Sequence, residues 1–414
     1  MTESSPVFVH SSSNFTMDQI DGITDSRNAV FVIVSADLAS QNVSIIEGSL
    51  TLATFTIALF RPIAVDCYLF AIGSEGSLSF HSLIVSGQGS SSFNTPLFSI
   101  VSGSALQMSG ISFENITRIS GNGAVFEFDF KSSEPSDAEI MLHSCHFSKC
   151  CSKDGSPGGA IKSNVPISVA NYSFASCTAV AAGENEDGRE EREEEEDKND
   201  NSNTSYSFSY GGALSPTTTL VITNSSFISC QANYGGGICL VCSSSTERVS
   251  LSQIELNSCT ASCNCGGIYL FVSLSSPPPD NPIVTLEDVT FIECESDGGN
   301  GGGVYGYYSG RDLDVLYSSC NFTSCHCSEK GGGVYIESLL DGNPEQICMN
   351  DTSFYNCTSG SSGSAICLSY IKSSAEFYSS SSLSSDSIDS DSSYGSDSLD
   401  APTYLDSPFW TSVP

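Results

Sequence analysis

The chain has 414 residues and a formal net charge of −34 at pH 7, with 48 acidic residues against 14 lysines and arginines. Nucleic acid repels so acidic a protein, and we expect no nucleic-acid partner. The abundance of Ser, Thr, Gly and Val favours strands and turns over helices, and the length suffices for one long domain with a large core.

Residues 1–44 precede the first regular pattern, and we predict an N-terminal cap or an irregular segment there. Met1 to Asn14 has neither the basic nor the apolar stretch of a secretory signal. Leu50 to Val65 is apolar, but Arg61 and Pro62 interrupt it. We therefore predict no transmembrane segment.

From residue 45 onward an apolar template recurs ten times, in the form apolar-x-apolar-x-x-apolar-x-apolar. The last position of each copy is Ile57, Val85, Phe113, Phe147, Phe174, Phe227, Leu256, Phe291, Phe322 or Phe354. Spacing by two places side chains on one face of a strand, and the spacing of three marks a bend between two strands. A period of about 30 residues is typical of a solenoid, in which no unit buries its apolar face alone. The sequence therefore predicts an all-β fold, a single right-handed parallel β-helix of about ten coils over residues 45–371.

Seven consecutive coils carry a cysteine three residues after this last position. They are Cys150, Cys177, Cys230, Cys259, Cys294, Cys325 and Cys357. We interpret them as an inward ladder of small, polarizable core residues, because parallel Cβ vectors do not favour the dihedral angle of a disulfide. Disulfides suit loop cysteines such as Cys263, Cys265 and Cys327 better. Cys239 and Cys242 have metal-ligand spacing, but no second pair follows at zinc-finger spacing, so we assign no metal site.

A glycine-led strand follows each of these cysteines after a variable loop, as in Gly158-Gly159-Ala160-Ile161. With the Phe-x-x-Cys element, this motif resembles the repeats of chlamydial polymorphic outer membrane proteins. It is also similar to protist parallel β-helix arrays of the pectin-lyase-like superfamily, over about residues 100 to 370. The resemblance implies an adhesive array at a cell surface or outside the cell. One departure is that Cys stands here where the family's repeats carry Asn.

Two segments of biased composition interrupt or follow the pattern. Glu184 to Asp200 is an almost continuous acidic run, and we predict a disordered insertion over residues 181–206, since such a run cannot bury itself. Residues 372–414 are rich in Ser and Asp, and we predict a disordered tail.

We find no catalytic constellation in the sequence. The Asp-Asp, Gly-His-Gly and Arg-x-Lys strings of polygalacturonase-like enzymes are missing. His143 and His146 flank Cys145 in a predicted strand, where a Cys/His pair and plain coil-surface residues are the two alternatives. We assign no catalytic, cofactor or metal residue.

Three functional classes remain. We favour a non-enzymatic surface or extracellular protein acting in adhesion or structural display, with a glycan or protein ligand. The alternatives are a polysaccharide lyase or hydrolase of the pectin-lyase-like superfamily and an intracellular scaffold, since no secretory signal is visible and a cytoplasmic location stays open. The sequence leaves the oligomeric state undefined.

The candidate binding face is a row of tyrosines in three consecutive glycine-led strands. With Ile268, Val304 and Val334 pointing inward, their successors Tyr269, Tyr305 and Tyr335 should point outward and stack about one strand spacing apart. One interpretation is a flat aromatic strip that binds a sugar or a partner protein. The other is an aromatic ladder that stabilises the sheet.

Overall fold

The computed structural model describes residues 7–9, 31–33, 43–59, 70–87, 92–93, 97–100, 105–119, 121–128, 139–181, 208–243, 247–274, 283–310, 313–340 and 346–372. These residues all belong to one unit, Met1–Ser373, and Ser374–Pro414 is a separate unit outside the described part. The acidic run Glu184 to Asp200 and the tail from residue 373 onward also lie outside the described residues.

The described residues form an all-β parallel solenoid, and no helix occurs among them. Each coil has four strand positions, here called A, B, C and D in chain order. Positions A, B and D belong to one 26-stranded sheet, and position C belongs to a nine-stranded sheet. None of the described segments forms a helix long and apolar enough to cross a membrane.

Positions A and B carry the apolar template. From Ala105 onward, three coils join A and B in one strand, namely Leu220–Ile228, Val249–Asn257 and Val284–Ile292. The other A strands are Ala105–Ser109, Glu139–His143, Ile167–Ala170, Asp314–Ser318 and Gln346–Asn350. The other B strands are Ser112–Glu114, His146–Ser148, Ser173–Ala175, Asn321–Thr323 and Ser353–Tyr355.

Positions C and D complete each coil. The C strands are Thr117–Arg118, Cys151–Ser152, Thr178–Ala179, Gln231–Tyr234, Thr260–Asn264, Glu295–Ser296, His326–Cys327 and Thr358–Ser359. The D strands are Phe126–Phe128, Ile161–Ser163, Leu214–Pro216, Ile238–Cys242, Ile268–Ser273, Val304–Ser309, Val334–Leu340 and Ile366–Lys372.

Strands nearer the N-terminus extend the same parallel pairing. They are Val7–Val9, Phe31–Ile33, Val43–Leu59, Phe70–Gly87, Ser92–Phe93 and Phe98–Ile100. Leu50 pairs with Leu78 and Phe55 with Leu83, in the register that the template predicts.

The register of the D strands counts the turns. Phe126, Ile161, Leu214, Ile238, Ile268, Val304, Val334 and Ile366 pair in succession, each with the next. The solenoid therefore makes about seven turns between Phe126 and Ile366, where the template predicts ten coils in all. The predicted parallel stacking is confirmed, and the difference lies in the number of coils.

The corners of each coil turn through the left-handed backbone region. At the corner between A and B, Asn171, Asn224 and Asp288 have φ of 60°, 46° and 53°. At the corner between B and C, Ser229 and Asn356 have φ of 52° and 54°. Asn and Asp tolerate this region better than other non-glycine residues because their short polar side chains can bond locally. The three-residue spacing in the template is the sequence signature of the first corner.

The core is a column of stacked template residues inside the coils. Its central feature is a phenylalanine ladder with ring centroids 4.5 to 5.2 Å apart, interrupted by Leu256. The ladder residues are Phe113, Phe147, Phe174, Phe227, Phe291, Phe322 and Phe354. All but Phe354 are fully buried, and Phe354 lies in the last coil, packed partly buried against this core. Parallel strands about 4.8 Å apart hold identical side chains at ring-stacking distance, which explains the repetition of Phe.

Glycines at the start of the D strands make room for this ladder. A Cβ atom on Gly303 would lie 2.7 Å from Cδ1 of Phe322, and one on Gly267 would lie 3.0 Å from Cδ1 of Phe291. A larger residue at either position would clash with the ring and with the glycine carbonyl of the next coil, which would lie 2.8 Å from the added Cβ for Gly303 and 2.3 Å for Gly267.

Candidate functional site

The three predicted tyrosines lie in one row on the outer face of the D strands. Tyr269 pairs in register with Tyr305, and Tyr305 with Tyr335. The Tyr269 and Tyr305 rings are parallel, with centroids 4.8 Å apart and an interplanar angle of 10°, and the Tyr305 and Tyr335 centroids are 5.2 Å apart. Strand alternation therefore places them as the sequence suggests.

These rings do not form an open strip. Tyr305 and Tyr335 are only 8% and 7% exposed, and they form a second apolar cluster with buried Cys265. The Tyr305 hydroxyl donates to Oε2 of Glu337 at 2.8 Å. Because each ring covers the face of the next, the ladder offers few of the ring faces on which a sugar would stack. Tyr305 and Tyr335 are thus largely covered, and a ligand-binding role of the row stays a prediction.

Burial also controls the ionisation of the row. Loss of hydration raises the pKa of Tyr269, Tyr305 and Tyr335 above the ordinary tyrosine value, and the neighbouring Glu337 carboxylate raises that of Tyr305 further. The three hydroxyls therefore stay neutral and act as hydrogen-bonding groups.

An aromatic corner lies next to this row, formed by Phe208, Tyr210 and Tyr234. Tyr210 and Tyr234 stack with centroids 5.3 Å apart, while Phe208 meets Tyr234 edge to face at 5.5 Å and 80°. Tyr234 also meets Tyr269 at 71°, which joins the corner to the row. Phe208 is 41% exposed and Tyr210 37% exposed, so this corner is the accessible part of the aromatic surface.

Buried hydrogen bonds fix the backbone of the aromatic corner. Ser209 donates through its backbone N–H and its hydroxyl to Oδ1 of Asn233, both at 2.8 Å, and the Asn233 N–H donates to Oγ of Ser209 at 3.0 Å. The Asn233 amide donates to Oγ of Ser262 at 2.6 Å. Asn233 and Ser209 are buried, so this network holds Phe208 and Tyr210 in place as the chain enters the third D strand.

The ladder cysteines lie inside the coils. Six of the seven are buried and Cys357, in the last coil, is half-buried, and each has a free thiol. Each thiol donates to the carbonyl of the ladder residue in the preceding coil at 3.4 to 3.8 Å, for example Cys230 to Phe174 and Cys259 to Phe227. Loss of hydration raises the pKa of Cys177 and Cys230 well above the ordinary thiol value. These two thiols therefore stay protonated at neutral pH.

None of the remaining cysteines that the structure describes forms a disulfide bond. Cys263 is half-buried, and Cys265 and Cys327 are buried, so the loop disulfides proposed for them are not formed. Cys239 and Cys242 are buried as well, and burial raises the pKa of Cys239 to about 12. Among the described residues, no group of three or more His, Cys, Asp or Glu side chains is placed to hold a metal ion.

Strand alternation separates Cys145 from its flanking histidines. Cys145 points into the core with 1% exposure, whereas His143 is exposed and His146 half-exposed. The Cys145 thiol donates to the carbonyl of His143 at 3.6 Å, and burial raises its pKa to about 11. Of the two alternatives, the histidines are coil-surface residues and the thiol is a core residue.

The sequence did contain a signal for the aromatic corner. Tyr210-Gly211 and Tyr234-Gly235 place a tyrosine directly before a left-handed glycine in consecutive coils.

No protein-family model, no curated protein and no solved structure matches this chain. The function must therefore be argued from the site itself.

Proposed function

We propose that this protein is a non-enzymatic binding solenoid at the cell surface or outside the cell, acting in adhesion or structural display. Parallel coils with one continuous core make a rigid scaffold whose loops and outer faces are free to vary. The resemblance of the Gly-Gly-Ala-Ile and Phe-x-x-Cys elements to polymorphic outer membrane protein repeats supports an adhesive role.

The aromatic corner is the observation that carries this proposal. Two large aromatic side chains, Phe208 and Tyr210, keep 41% and 37% of their surface exposed, whereas Tyr305 and Tyr335 of the neighbouring row are buried. Exposed aromatic groups on a fixed backbone are typical of binding sites, because little entropy is lost on binding. The hydrogen bonds of Asn233 supply that rigidity.

Attachment of the full chain to cells and to immobilised glycans tests the proposal. Replacing Phe208 and Tyr210 with Ser should reduce attachment strongly and leave the melting temperature nearly unchanged, because both side chains are partly exposed. Tyr355→Ser is the matched control, since Tyr355 is 72% exposed on the last B strand, away from the aromatic corner.

Two results would contradict the proposal. If the corner variant and the wild type attach equally well, the aromatic corner is not the binding site. Release of unsaturated products or new reducing ends from polyuronides would show a carbohydrate-active enzyme instead.

A further inference from the structure

We propose that the aromatic corner binds the cationic side chains of a basic polypeptide segment, arginine above all. The inference rests on the proposed function and names its partner class. Three observations support it: the arrangement of the rings, the charge of the chain and the rigidity of the backbone beneath them.

The ring arrangement distinguishes the corner from the tyrosine row. A cation binds over the face of an aromatic ring, where the quadrupole is negative. In the row, the facing surfaces of Tyr269 and Tyr305 pack against each other, with ring centroids 4.8 Å apart and an interplanar angle of 10°. Among the described rings, Phe208 makes one contact, an edge-to-face contact with Tyr234, and it stacks on no ring. With 41% of its surface exposed, Phe208 is the ring of the aromatic corner best placed to receive a cation.

The negative net charge of the chain favours a positively charged ligand. A formal net charge of −34 repels acidic polysaccharides and nucleic acids and attracts basic partners at long range. Asp200, the last residue of the acidic run, precedes Phe208 by eight residues in the sequence. The net charge therefore favours a basic partner over an acidic one.

Arginine fits the corner better than lysine for geometric reasons. Its guanidinium is planar, is weakly hydrated and stacks on aromatic faces, whereas the lysine ammonium is a strongly hydrated point charge. The fixed backbone at Ser209 and Asn233 lowers the entropy lost when such a side chain is held.

Fluorescence anisotropy with the full chain tests the inference, using labelled hexaarginine, hexalysine and a neutral Gly-Ser hexapeptide. Phe208→Leu and Tyr210→Leu remove a ring without changing charge, and each should weaken hexaarginine binding about two- to fivefold. Tyr355→Leu makes the same chemical change at a remote exposed site and should leave binding unchanged. Hexaarginine should bind more tightly than hexalysine, and the neutral peptide should not bind.

If Phe208→Leu lowers the melting temperature, Phe208→Tyr serves as a second variant. It keeps an aromatic ring, and we expect it to retain the hexaarginine affinity of the wild type. If both corner variants bind hexaarginine as the wild type does, general charge attraction explains the binding and the inference is overturned. If the corner variants lose attachment to neutral glycans but not to hexaarginine, the proposed function stands and this inference fails. If the corner variants retain both attachment and hexaarginine binding, the proposed function and this inference are both wrong.

Discussion

Leu256→Phe tests how the core ladder is built. Leu256 occupies the ladder position at which seven other described coils carry Phe. It pairs in register with Phe227 on one side and Phe291 on the other. A Cβ on Gly237 would lie 2.8 Å from Cδ2 of Leu256, which is the same relation that Gly267 has to Phe291. The glycine therefore already leaves the space that a ring would need.

The expected gain comes from two new ring stacks. Each stacked aromatic pair contributes about 0.5–1.5 kcal/mol beyond its buried area, so two stacks contribute about 1–3 kcal/mol. Adjustment of the surrounding core removes at least about 1 kcal/mol of this gain. We expect a net stabilisation of about 1 kcal/mol, which corresponds to a rise in melting temperature of about 2 °C.

Thermal and urea unfolding followed by circular dichroism measure the change. Leu251→Phe is the control: Leu251 is fully buried on the same strand and pairs with Ile222 and Leu286. An added ring there should destabilise the protein by about 1–3 kcal/mol. If Leu256→Phe destabilises the protein as much as Leu251→Phe does, the idea that Gly237 reserves space for a ring is wrong.

Four further outcomes are expected. Cys230→Ser should cost about 1–3 kcal/mol in urea unfolding, and Cys230→Ala less, because the shorter hydroxyl loses the distant carbonyl acceptors at 3.6 and 3.7 Å; equal costs would argue against this. Gly303→Val should lower the melting temperature by several degrees through its clash with the Phe322 ring and the Gly333 carbonyl, and an unchanged value would show that both groups relocate freely. Deletion of Glu184 to Asp200 should leave the melting temperature nearly unchanged, since an acidic loop adds no core; a large fall would show that the run packs. The pKa of the Cys145 thiol is raised from 9.0 to about 11 in the folded protein, so its contribution to stability is complete below pH 9 and is lost between pH 9 and 11, up to about 2–3 kcal/mol; a Cys145→Ala variant should show a flatter urea midpoint over that range, and identical profiles would refute the assignment.

The template predicted the coil interior correctly. Val284, Leu286, Val289 and Phe291 occupy one template copy, and all four are fully buried. Alternation along a strand and the spacing at a corner are local properties, so the sequence alone determines which side chains point inward. The in-register pairing of Phe147 with Phe174 follows, because any other register would expose the apolar positions to water.

The tertiary structure decided which outward residues are accessible. Tyr305 and Tyr335 point outward as predicted, yet neighbouring coils and Cys265 cover them. Tyr210 and Tyr234, 24 residues apart in sequence, meet only because successive coils stack. Exposure depends on side chains contributed by the coils above and below, and a local period carries no information about them. The sequence therefore determined the solenoid and its core, while the stacking of coils decided which outward aromatic side chains stay exposed.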